Sequence, residues 1–225
     1  MLPMNTDTAR AAILAQIRAR QGRPAALHDM EAQDVEIDIA RHVRGPQPAM
    51  GDRADRIARF TAQALALQTS VARVASAQDV PAAVTAYLHE QALPLSGVAW
   101  DTLAGSPWAE AGLALEYRPP RDEDKLGLTG CFCAVAETGS LVLASTPQTP
   151  SSTHLLPETH IAIVPASRIV PALEDAYALL RAELGELPRA LSTVSGPSRT
   201  GDIEQTIVLG AHGPYRVHVV IVDAD

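Results

Sequence analysis

The segment Val217–Val222 is apolar on both faces except at His218, and it constrains the fold more than any other stretch of this chain. A strand with one solvated face would alternate apolar and polar residues, so this run reads as an interior strand covered on both sides. Earlier segments extend the theme. Ser70–Ala75, Gly97–Trp100, Leu113–Tyr117, Cys133–Ala144, Ile161–Val164 and Ala190–Val194 read as further strands. Asp79 caps a helix carrying Val84, Tyr87 and Leu88. A second helix bears Ile169, Leu173, Tyr177, Leu180 and Leu184 on one stripe and closes at Gly185 and Pro188. Strands separated by helical crossovers imply an α/β fold with a mostly parallel sheet.

Two helices precede this pattern. Asn5 or Thr6 caps the first, whose inward stripe is Ala9, Ile13, Leu14 and Ile17, and Gly22 and Pro24 stop it. The second carries Ile57, Phe60, Ala64 and Leu67 on one face. Between them Pro24–Gly51 is polar, broken by Gly45, Pro46 and Pro48, and reads as a connector arm. The expected division is residues 1–69 for the helices and arm and 70–225 for the α/β domain.

With 225 residues, 47% of them hydrophobic, the chain can bury one good core. A net charge of −8 argues against nucleic-acid or anionic-membrane partners, which call for clustered cations. The apolar runs are strand-sized, short of the roughly 20 residues of a membrane helix, and no leader segment is evident. Cys131 and Cys133 are too few and too close for a disulfide framework, which fits a reducing, cytoplasmic location. Together with His154 and His160 they match no tetrahedral zinc spacing, so no metal is expected. The chain has no Gly-x-Gly-x-x-Gly run and no Walker loop, and two thiols cannot hold a four-cysteine cluster. No cofactor is expected.

Three polar segments interrupt the apolar ones. Ser195–Glu204 is too polar for core and too rich in Gly, Pro and Ser for ordinary helix. Gly196 and Gly201 let successive amides converge, and Thr200 can cap a short helix containing Ile203 and Leu209. That helix end, with Ser198 and Arg199, would then hold a phosphate or carboxylate. The plainer alternative is a capped turn in which Asp202 answers the helix dipole and pairs with Arg199. Glu137-Thr138-Gly139-Ser140 is either a carboxylate placed at a sheet edge for acid–base or nucleophilic work, or a hairpin turn with Gly139 at its tight position. His212, before Gly213, is either a general base or ligand contact, or a helix C-cap.

Taken in order, Ala136–Leu141, Leu156-Pro157 with His160-Ile161, Ser195–Glu204 and Gly210–Pro214 resemble the lactate-utilisation (LUD) domain family over roughly the last two-thirds of the chain. The signature positions here are Glu137, Thr138, Gly139, Ser198, Arg199, Thr200, Asp202, Glu204, His212 and Gly213. The resemblance implies a three-layer α/β fold similar to the sugar-phosphate isomerase, CoA-transferase and formyltetrahydrofolate cyclo-ligase group. It also implies a part in oxidising L-lactate to pyruvate beside partner proteins that carry iron–sulfur clusters. It supplies no catalytic residues.

Three functions follow as expectations. The first is a non-redox component of a lactate-oxidising system. The second is an enzyme acting on a phosphorylated, CoA-linked or carboxylate substrate. There Glu137 and His212 would do the chemistry, and Thr138, Gly139, Ser140, Ser195, Gly196, Ser198, Arg199, Thr200, Asp202 and Gly213 would bind. The third is a hydroxy-acid-binding regulatory module.

Overall fold

The strands read from the sequence close into two sheets rather than one. The structure is a computed structural model that describes residues 7–22, 26–42, 44–203 and 206–224, with the backbone alone at 26–29, 202–203 and 206–207. Met1–Gln47 forms one unit and Pro48–Asp225 a second.

In the second unit a six-stranded parallel sheet runs in the order β1 (Ser70–Val74), β12 (Arg216–Val222), β7 (Thr159–Pro165), β4 (Leu126–Thr129), β2 (Ser96–Ala99), β3 (Ala114–Glu116). β12 is interior, as its two apolar faces require. Its one polar residue, His218, is buried, stacks on Tyr87 at 3.8 Å and lies 2.8 Å through Nδ1 from Ser70 Oγ.

One face of this sheet is covered by α4 (Val80–Glu90), where Val80, Val84 and Leu88 meet Leu128, Ile161, Val220 and Val222. Asp79 precedes α4, but its carboxylate accepts from the backbone N–H and hydroxyl of Ser76, closing the preceding turn rather than α4. The other face packs on α3 (Arg53–Ala66) and on a four-stranded sheet in the order β8 (Ile169–Val170), β5 (Cys133–Val135), β6 (Ser140–Ala144), β9 (Leu191–Val194). α3 buries Ile57, Phe60 and Ala64 there, the face its spacing predicts. α6 (Leu173–Leu184) backs the outer face of the small sheet through Ala176 and Leu180. Ile169, expected on that helix, instead pairs in β8 beside β5, because Pro171 intervenes before the helix begins.

Two N-terminal expectations are corrected. Within Pro24–Gly51 the chain forms a helix, α2 (Ala26–Arg41), and the connector shrinks to the residues around Gly45 to Pro48. α1 (Asp7–Gln21) forms as expected, but its stripe does not face inward: Ile13 and Ile17 are exposed and the helix buries no residue. The expected caps Asn5 and Thr6 lie outside the described residues, as does Pro24.

Candidate functional site

The polar segments singled out in the sequence meet around the C-terminal end of α3. Glu137-Thr138-Gly139 is the turn of the β5–β6 hairpin, with Gly139 at φ +69°, so the hairpin reading holds. β6 pairs antiparallel with β9, Leu141 opposite Val194, which sets Ser140 beside Ser195. Their hydroxyls lie 2.6 Å apart, and Thr138 Oγ1 donates to Ser140 Oγ at 2.8 Å. Ser140 is buried; Thr138 and Ser195 at the ends of this hydroxyl string are exposed.

Two glycines let these loops touch α3. A Cβ on Gly139 would stand 2.5 Å from the Ala64 backbone nitrogen. On Gly196, at φ +86°, it would stand 2.4 Å from the Leu67 carbonyl oxygen. Both positions combine a left-handed backbone with backbone contact, which only glycine meets without strain.

The next residues overturn the expected helix. Thr200, Ile203 and Leu209 lie in a two-stranded antiparallel hairpin, β10 (Arg199–Ile203) and β11 (Thr206–Leu209). The β-branched run Thr206-Ile207-Val208 and the interior Gly201 favour this hairpin over a helix. There is accordingly no positive helix end for an anion here. Arg199 donates through Nη2 to the Leu67 carbonyl at 2.9 Å and to Gln68 Oε1 at 2.8 Å, capping the negative end of α3 instead. Thr200 is buried, Glu204 lies outside the described residues, and the side chain of Asp202 is not among those described.

His212 and Gly213 join the same assembly through Ser198. The His212 N–H donates to Ser198 Oγ at 3.3 Å, and a Cβ on Gly213 would come within 3.2 Å of Ser198 Cβ. Ser198 itself bridges backbones, donating its N–H to Pro214 O and accepting from Gly210 N–H, each at 2.9 Å. His212 is exposed in a turn, so it is no helix cap. Glu137 is half-buried, with its N–H bonded to Pro171 O at 3.0 Å. The hydroxyls of Thr138, Ser140 and Ser195 are thus contiguous, and Ser198, Arg199, His212 and Gly213 are knitted to each other or to α3. No hydrogen bond described for the Glu137 or His212 side chain ties either to the hydroxyl string.

A second polar cluster gathers His154 and His160, which the sequence offers as zinc candidates of unsuitable spacing but not as neighbours. His160 on β7 and His154 on α5 (Ser152–Leu155) are buried with ring centroids 5.8 Å apart, and His154 meets the edge of Trp100 at 6.3 Å. His160 Nε2 lies 2.8 Å from Thr129 Oγ1. His160 Nδ1, both nitrogens of His154 and the Thr153 hydroxyl have no protein partner. Burial depresses the basicity of both rings, His154 to about 4 and His160 to about 3, the latter helped by the His154 charge. The signal for His160 was its place in an otherwise apolar strand, but the approach of α5 is a tertiary event. Among the described residues no group of three His, Cys, Asp or Glu is arranged to hold a metal. Burial raises the Cys133 thiol to about 11 and the Cys131 thiol higher still, so neither ionises near neutral pH.

A cavity of about 260 Å³ opens between the starts of β2, β3 and β4, lined by Glu116, Glu123, Asp124 and Lys125 among others. Beside it Arg118 is held by Asp124 at 2.6 Å and Glu116 at 2.7 Å. None of the sequence-derived site residues lines this cavity. Among the described residues no helix is long and apolar enough to cross a membrane.

Residues 122–222 match the LUD domain family, a span that contains the β5–β6 hairpin, the Ser195–Arg199 turn and the His212-Gly213 turn. Lactate utilization protein C of Bacillus licheniformis is 34% identical over 127 residues, 55% of this chain and 49% of that protein. Lactate utilization protein C 1 of Bacillus mycoides is 45% identical over 101 residues, 44% of this chain and 43% of that protein. The chain therefore matches about half the length, or less, of these curated relatives. A DUF162 family protein from Deinococcus radiodurans shares the fold, with a TM-score of 0.58 and 24% identity over 76% of this chain and 99% of that one.

Proposed function

We propose, from the match of residues 122–222 to the LUD domain family, that the chain serves lactate utilisation as a component without redox chemistry of its own. In this reading it works beside iron–sulfur proteins that carry the electrons from L-lactate to an acceptor. One observation supports it above others: the family positions Ser198 and Arg199 are spent on internal bonds, and Gly213 on a close approach to Ser198. Arg199 closes the carbonyl end of α3, and Ser198 ties the His212-Gly213 turn to its neighbours. Residues engaged in this way shape a surface rather than a reaction centre.

The test is genetic and biochemical. Removing the chain from its host is expected to abolish growth on L-lactate, and reintroducing it to restore growth. Affinity capture of the intact chain from lactate-grown cells is expected to bring down proteins with the 4Fe–4S absorption near the visible blue. Unchanged lactate oxidation without the chain overturns the assignment. Growth that depends on the chain, with no iron–sulfur protein captured, overturns only the partner.

The hydroxyl string favours a second reading, a module that senses a hydroxy acid. Thr138 and Ser195 offer exposed hydroxyls, and Arg199 an exposed guanidinium held at the C-terminal end of α3, groups of the kind that suit a small 2-hydroxy carboxylate. Against it stands the carbonyl end of α3, which disfavours negative charge. Calorimetric titration with L-lactate and pyruvate decides: heat of binding lost on Ser195→Ala supports the sensor, and no heat at millimolar ligand removes it.

A further inference from the structure

The N-terminal unit has helices but no interior. Among its described residues none is buried, and α1 and α2 expose Ile13, Ile17, Met30, Val35, Ile37 and Ile39 to between 45 and 64%. Helices of 15 and 16 residues are marginal in water without a surface to pack on. This unit therefore needs an outside surface to hold its helices.

The two helices are of opposite charge. α1 carries Arg10, Arg18 and Arg20 against Asp7. Ile13 and Ile17, one turn apart, form its apolar stripe, with Arg10 a turn before and Arg20 three residues after. α2 carries Asp29, Glu31, Asp34, Glu36 and Asp38 against Arg41. Met30 and Ile37 lie on one side of α2, and Val35 and Ile39 on the other. The single stripe of α1 in the same chain cannot cover both. A surface that is basic on one helix and acidic on the next is complementary to itself across a twofold axis.

We infer that the N-terminal unit is a self-association module, in which the basic α1 of one copy packs against the acidic α2 of a second copy and the reverse contact closes the pair. Apolar residues supply the contact, and the arginine and carboxylate rims set partner and direction. The inference is independent of the lactate assignment, since it uses no residue of the LUD domain.

Sedimentation equilibrium of the full chain, from about 1 to 100 µM, tests it. The wild-type chain is expected to dimerise in that range, more weakly as salt screens the rims. Arg10→Glu/Arg20→Glu makes both helices acidic, and Asp34→Lys/Glu36→Lys/Asp38→Lys makes both basic. Each variant alone is expected to lose about tenfold or more in dimer affinity. Mixed one to one, they are expected to form a heterodimer, because each opposed pair of helices is again of opposite charge. All five positions are solvent-exposed, so circular dichroism is expected to show unchanged folding. A wild-type chain that stays monomeric throughout overturns the inference. So do variants that dimerise like the wild type, or variants that lose dimerisation and fail to recombine.

Discussion

Gly139 and Gly196 show how single atoms set the candidate site. Each has a positive φ, and each would drive a Cβ into the backbone of α3. Gly139→Ala and Gly196→Ala are each expected to cost more than about 2 kcal/mol, combining a strained backbone with a displaced helix end. Gly185→Ala serves as the control, because Gly185 has the same φ of +69° but open space around it, so roughly 1 kcal/mol is expected. Urea midpoints check all three. The buried histidines set the pH dependence. In the unfolded chain each titrates near 6.5, whereas burial lowers His154 and His218 to about 4 and His160 to about 3. From about pH 6.5 down to about 4 the unfolded chain therefore binds more protons than the folded one. Their contribution is complete above that window and lost as pH falls through it, at on the order of 1 kcal/mol per pH unit for each histidine. Urea unfolding between pH 7 and 4.5 is expected to show this slope, and His218→Phe, which keeps the stack on Tyr87, to reduce it. A profile flat over that range contradicts the account.

Among the elements, Arg199 anchors the β10–β11 hairpin, which pairs with neither sheet, to α3. Arg199→Ala is expected to speed amide exchange in β10 and β11 by about tenfold while global stability moves by less than about 1 kcal/mol. Exchange that rises equally across the central sheet would show that the contact is global instead. The elements that were legible in the sequence carried their own signal. β12 announced its burial by having two apolar faces, and α3 by the spacing of Ile57, Phe60 and Ala64. The β5–β6 turn was legible from Gly139. What stayed hidden depends on distant partners. The pairing of β6 with β9 joins segments distant in the chain, so the Ser140–Ser195 contact, 55 residues apart, has no local trace. α2 was missed because Val35-Glu36-Ile37-Asp38-Ile39 alternates with strand period inside a helix. The β10–β11 hairpin was missed because Thr200 and Asp202 mimic a helix start, and the β-branched run that follows outweighs them.

For the molecule as a whole, α3 belongs with the sheets: Ile57, Phe60 and Ala64 sit in the same apolar cluster as Leu141, Val219 and Ile221. A chain beginning at Pro48 is expected to keep one cooperative thermal transition. A chain beginning at Ser70 loses those three side chains, and no such transition is expected for it. Differential scanning calorimetry separates the two outcomes. The strand order carries a consequence for biosynthesis. β12 comes last of the strands in the chain, yet it lies between β1 and β7 and bonds to both. Until the ribosome has released residues up to Val222, β1 has no neighbour and β7 lacks one of its two. The nascent chain must therefore hold exposed, strand-prone edges while the residues between β1 and β12 are made. The large sheet closes as a late event, when one final segment threads between strands that have been waiting for it.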